Sequence, residues 1–231
     1  MKDVNPRSGS ASRWRWGRRL RLVVLCAATA VSLPSFAKDL IFEQAFTTKG
    51  EPVNAHFQAV FVSNGAEHRL EVWRDGERRI KRRTDDAADT YAFRSGDSPE
   101  FRLSLLDLKK KIHSEIDRSN LYRIGNFTDW FDLGHGLRHP KGRYRVLNAG
   151  APENAPKAIA PCKWADLEHE VQFTHVCWSK KSGLPLLMLN RDGKTIWRIV
   201  MLDHKLIPGG TFEIHDEGFI RNDANEDIER D

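Results

Sequence analysis

The chain has 231 residues, 40% of them hydrophobic and 30% charged, with 37 Lys and Arg against 32 Asp and Glu for a net charge of +5. That balance belongs to a globular protein, and no transmembrane segment follows Ala37. The positive excess is confined to one end: residues 1–37 hold seven basic residues and one acidic, so the other 194 carry 30 basic and 31 acidic, or −1. A nucleic-acid function, which would rest on a strongly basic domain, loses its main support.

Residues 1–37 read as a cleaved signal peptide. Arg13, Arg15, Arg18, Arg19 and Arg21 form a basic n-region, Leu22 to Leu33 an apolar run, and Ser35-Phe36-Ala37 a signal-peptidase site. The run is about 12 residues, short of the ~20 that span a bilayer. Arg18-Arg19 is a weak twin-arginine match, because Arg21 stands where an apolar residue is expected. Cys26 follows Leu25, whereas a lipobox wants a small residue there. The expectation is a soluble periplasmic protein with one domain over 38–220 and a polar, flexible tail over 221–231. Export makes a Cys162–Cys177 disulfide the simplest fate of the two cysteines beyond the leader; two free or metal-binding thiols are the alternative.

In chain order, Asp39 to Thr47 reads as a short amphipathic helix or an extended lead-in. Ala55 to Val62 alternates as a strand, and Asn64-Gly65 signals a hairpin to a return strand over Glu67–Arg74. Asp75-Gly76 turns the chain into Arg78–Thr84, and Thr90–Phe93 and Phe101–Leu108 continue the sheet. Lys109–Asp117 fits strand or helix. Asn120–Leu137 is helical in pieces broken near Gly125 and Gly134, with Thr128 as an N-cap for Trp130, Phe131 and Leu133. Arg143–Leu147 resumes the strands, and Ala149–Pro161 is a loop.

The stretch from Cys162 to Leu202 organises the chain. Asn190-Arg191-Asp192-Gly193 turns between two apolar runs, the second with Trp197, Ile199 and Met201 on one face and Ile196, Val200 and Leu202 on the other. Two apolar faces predict that both are covered, one by protein and the other by a hollow that Trp130 and Phe131 border. Many short strands without βαβ alternation make the fold α+β and mainly antiparallel β: a curved sheet, or open half-barrel, with helices covering the concave side.

The leader, the meander HFQAVFVSNGAEHRLEVWRDGERRIKRR and the late CWSKKSGLPLLMLNRDGKTIWRIVML together resemble the LolA/LolB-like periplasmic lipoprotein-carrier superfamily, whose fold the sigma-factor regulator RseB shares. The resemblance covers most of the mature chain as architecture, with no diagnostic motif. It implies an open barrel of about eleven strands around a hydrophobic cavity closed by helices, and members that shuttle or sense acylated proteins and lipids without cofactor or catalysis. Two features depart from it: the shorter opening helix and the Cys162–Cys177 pair.

Other groupings read blandly. His135 and His139 are four apart, as metal ligands on a helix would be, but Gly134, Gly136 and Pro140 weaken that helix and no third ligand is evident, so both read as surface residues. Asp223, Asn225 and Asp227 echo a calcium loop that lacks its Gly, and read as an acidic tail. Arg78, Arg79, Lys81, Arg82 and Arg83, like Lys109-Lys110-Lys111, read as a charged sheet edge or as a contact for anionic headgroups or an acidic partner. No nucleophile motif is present. The expected function is therefore non-enzymatic: a carrier, without cofactor or metal, holding acyl chains, lipid or a lipidated protein against Trp130, Phe131, Trp197, Ile199 and Met201. The alternative is an RseB-like regulatory module bound to an envelope protein.

Overall fold

A computed structural model describes residues 40–76, 78–96, 98, 100–123 and 129–225. The expected leader, Thr128 and Asp227 lie outside the described residues. The strands are β1 (Asn54–Ser63), β2 (Ala66–Asp75), β3 (Arg79–Thr84), β4 (Ala88–Arg94), β5 (Phe101–Asp107), β6 (Ile112–Asp117), β7 (Tyr144–Asn148), β8 (Lys163–His169), β9 (Gln172–Ser179), β10 (Leu184–Asn190), β11 (Thr195–Asp203) and β12 (Ile220–Asp223). They form one open sheet in the order β12-β6-β5-β4-β3-β2-β1-β11-β10-β9-β8-β7. All neighbours are antiparallel except β12 and β6. The described helices are short: α1 (Phe42–Ala45), α2 (Arg118–Arg123) and α3 (Trp130–His135).

Local chemistry sets the register. Asn64 and Gly65 take φ of 49° and 77°, the paired left-handed conformation of a two-residue hairpin turn, so Ser63 faces Ala66 and the ten-residue strands pair end to end. Alternation then aims Ala55, Phe57, Ala59, Leu70, Val72 and Ile80 at one face, where all are buried.

Helix α3 packs on that face. Trp130 meets Phe101 edge-on at 5.6 Å, and a Cβ on Gly134 would stand 3.1 Å from Arg74 Cδ and 3.4 Å from Ile80 Cδ1. Asp129, rather than Thr128, caps the helix, its side chain accepting from Phe131 N at 3.1 Å. Beside it α1 brings Phe42 and Phe46 into a second core cluster with Leu137, Val146, Leu167, Val176 and Trp178.

The opposite face is covered mostly by loop segments, with one short 3-10 helix over Gly209–Phe212. After β11, a strap starts where His204 meets the Asn54 carbonyl, passes Phe212 under the Arg79 guanidinium and reaches His113 through Asp216. It ends in β12, so the expected polar tail begins as a strand: Ile220 to Asp223 pair in parallel with Ile112 to Glu115. The Asn225 side chain accepts from Asp117 N and Asn120 Nδ2, the role that replaces a calcium ligand there. On the other half of the sheet, the Pro- and Ala-rich segment 149–161 lies over Cys162, Trp164 and Cys177.

Two expectations change. Strand β11 does not carry two uniform apolar faces. Gln58 pairs with Met201 and Ala59 with Ile199, so Val200 is an extra residue in a β-bulge. The bulge reverses the alternation, turning Leu202 to the buried face beside Phe57 and Met201 to the other beside Gln58, while Arg198 and Val200 are exposed. The basic run Arg79–Arg83 is also no sheet edge, because β3 lies between β2 and β4. Three of its cations are matched: Arg79 with Asp75, Arg83 bidentate on Asp89 at 2.7 Å, and Lys81 between the Trp73 and Tyr91 rings at 5.4 and 5.1 Å.

The disulfide joins Cys162 and Cys177 with Cα atoms 5.4 Å apart. Closing a loop of this length restricts the unfolded chain. We expect Cys162→Ser/Cys177→Ser to lower stability by about 2–4 kcal/mol in urea unfolding, and reduction of the wild type to have the same effect.

Candidate functional site

The site lies where the C-terminal end of α3 meets the buried sheet face. Gly136 ends the helix at φ +72°, and a Cβ there would overlap the Trp197 ring, standing 2.8 Å from Cζ2. Only glycine meets both the conformation and the close approach. Trp197 is held from below, its Nε1 donating to the Pro185 carbonyl at 2.8 Å. Next to this contact is a cavity of ≈ 240 Å³ lined by Phe61, Leu70, Arg82, Asp132, Gly136, Arg138, Met188 and Trp197. A larger cleft of ≈ 660 Å³ shares Asp132, Gly136, Arg138 and Met188 with it and extends past Leu137, His139, Leu167, Thr174 and Ile196. Together they make a hollow that is apolar around Trp197 and Met188, has a small charged group at the junction, and becomes polar further out, past Lys141, His169 and Gln172.

That group comes from two elements. Alternation along β3 turns Arg82 to the buried face, in register with Val72, which pairs with Phe57. Burial lowers its guanidinium to about 10, and the nearby Asp132 charge opposes the shift. Asp132, in the first turn of α3, is pushed up to about 6 by burial, against the His139 amide that donates to its Oδ1 at 2.8 Å.

On the other side of α3 a second polar group anchors the helix. Arg74 is 2% exposed and pairs with Glu51 at 2.9 Å. His135, 5% exposed rather than on the surface as expected, completes it. Its Nδ1 donates to the Phe131 carbonyl at 2.9 Å, which leaves Nε2 to accept from Arg74 when the ring is neutral or to donate to Glu51, 3.0 Å away, when it is charged. Glu51 can lie there because Gly183, at φ +63°, leaves space; a Cβ would come within 3.0 Å of Glu51 Cβ. His139 is separate, at 2.9 Å from Glu43. No cluster of three or more His, Cys, Asp or Glu side chains suited to a metal occurs among the described residues.

The five residues expected to line a ligand hollow divide. Trp130, Trp197 and Ile199 share one buried cluster, Phe131 packs with Phe42 and Trp178 in the other, and Met201 is on the opposite face of the sheet. Only Trp197 borders the hollow. Arg82, Asp132, Gly136 and Met188 were missed; the available signal was the inward position of Arg82 in an alternating strand.

No protein-family model matches the chain, and no curated protein is significantly similar to it.

Two outcomes are expected here. Trp130 is packed against Phe101 and under Arg94, so Trp130→Ala should cost about 3–5 kcal/mol in chemical denaturation. Asp132 has a raised folded value, so its carboxyl favours folding while protonated, and stability is lost as pH rises from about 4 through about 6. Asp132→Asn keeps an acceptor for His139 N and removes the charge. It should leave stability at pH 4 unchanged, raise it by about 2 kcal/mol at pH 7.5, and flatten the difference in melting temperature between those values.

Proposed function

We propose that the protein is an exported periplasmic carrier of the LolA/LolB-like kind, an open half-barrel whose helices cover the concave side, and that it holds an acyl chain of a lipid or lipidated protein beside α3. It acts by binding rather than by catalysis. The observation that carries this reading is the hollow itself: Phe61, Leu70, Met188 and Trp197 form apolar walls around unfilled space at the end of a six-residue helix. Apolar burial would supply the affinity at ~0.8 kcal/mol per methylene, and displacement of α3 would lengthen the cavity towards Trp130. A disulfide suits an oxidising compartment, and among the described residues no helix is long and apolar enough to cross a membrane.

Native mass spectrometry of protein purified from its own envelope should find a co-purified acylated molecule. A stoichiometric envelope protein in its place would favour the RseB-like regulatory role. In solution, a fluorescent fatty acid should bind the wild type, and Met188→Trp, which fills the junction of the two cavities, should weaken binding ~10-fold or more with little change in stability. Absence of binding to folded wild type would overturn the acyl reading.

A further inference from the structure

Most of the cations on the central strands have an anion or a ring assigned to them. Arg79 has Asp75 and Phe212, Arg83 has Asp89, Lys81 has Asp89, Trp73 and Tyr91, and Arg74 has Glu51. Arg82 is different: it forms no hydrogen bond or ion pair with a described residue, and Asp132, across the same cavity, does not come within ion-pairing distance. The half-buried Arg82 guanidinium lines the cavity beside Phe61, Leu70, Met188 and Trp197, and no described side chain supplies it with an acceptor, so it is placed to receive one from a ligand. Its fork of N–H donors matches the paired oxygens of a carboxylate or phosphate. Arg138 lines both cavities at their junction and is exposed, so a second cation stands where an incoming anion would pass.

We infer that the hollow takes an anionic amphiphile, a single carboxylate or phosphate on a hydrocarbon chain, with the oxyanion on Arg82 and the chain against Met188 and Trp197. This rests on the acyl-binding reading and adds to it which end of the ligand is read. The arrangement discriminates: an alkyl alcohol fills the same apolar walls but leaves Arg82 without a counter-charge, whereas a free oxyanion meets Arg82 but gives up the apolar contact. Asp132 works against the ligand when ionised, so the anion and the protonated form of that carboxyl favour each other.

Titration calorimetry of the disulfide-intact protein with dodecanoate, dodecyl phosphate, dodecanol and inorganic phosphate tests this. Wild type should bind the two anionic amphiphiles at least ~10-fold more tightly than dodecanol and bind inorganic phosphate weakly. Arg82→Met should abolish the preference by bringing dodecanoate and dodecyl phosphate, ~10-fold or more weaker than in wild type, to the affinity of dodecanol. Arg82→Lys should retain part of the preference, and serves if the methionine variant does not fold. Equal binding of dodecanol and dodecanoate by wild type would overturn the anion inference while leaving acyl binding intact. Failure of all three alkyl probes would overturn both. Inorganic phosphate binding as tightly as dodecyl phosphate would overturn the amphiphile in favour of a simple oxyanion site.

Discussion

A wide open sheet has two faces to hide, and this requirement governs the arrangement of everything else. Twelve strands supply ladder hydrogen bonds, but side chains leave both surfaces, and few long helices are available to cover them. The protein uses α1 and α3 on one face. On the other it uses a C-terminal strap anchored by Phe212, Asp216 and β12, and a Pro- and Ala-rich segment over the disulfide. Coverage by short pieces is uneven, and the hollow lies where one of them, α3, ends.

Seating a six-residue helix on a sheet requires more than apolar contact, because so short a helix has little stability of its own. Gly134 and Gly136 bring its backbone down onto Arg74, Ile80 and Trp197, and His135 ties it to the buried Glu51–Arg74 pair. The buried charges hold the helix in one position, since moving it would leave Arg74 and Glu51 short of a partner. The same seating exposes Asp132 and Arg82 to the hollow. Stability of α3 and the chemistry of the proposed ligand site are therefore coupled through a single turn of helix.

The central strands show why a run of like charges need not be a surface patch. In β3 every second residue changes face, so Arg79, Lys81 and Arg83 meet Asp75, Asp89 and two aromatic rings on one side. Arg82 alone of these basic side chains enters the other side. Neighbouring cations of one strand thus have different electrostatic environments, Lys81 and Arg83 sharing Asp89 on one side while Arg82 lines the hollow on the other.

Much of the architecture was legible in the chain. Period-two alternation, Asn64-Gly65, Asp75-Gly76 and the Asn190–Gly193 turn located most strands, and the two cysteines after residue 37 foretold the bond that joins them. Alternation fails where the backbone inserts a residue. The bulge at Val200 moves Met201 off the face that Trp197 shares, and nothing in the local composition marks it, because the bulge is a property of pairing with β1. The tail over 221–231 reads as flexible because it is polar; the order of Arg221 to Asp223 comes from an edge on β6, more than 100 residues earlier. The site itself was decided by tertiary contact. Local sequence can say that Arg82 points inward and that Gly136 ends a helix, but their convergence on one cavity depends on α3 crossing the sheet, which long-range packing alone determines.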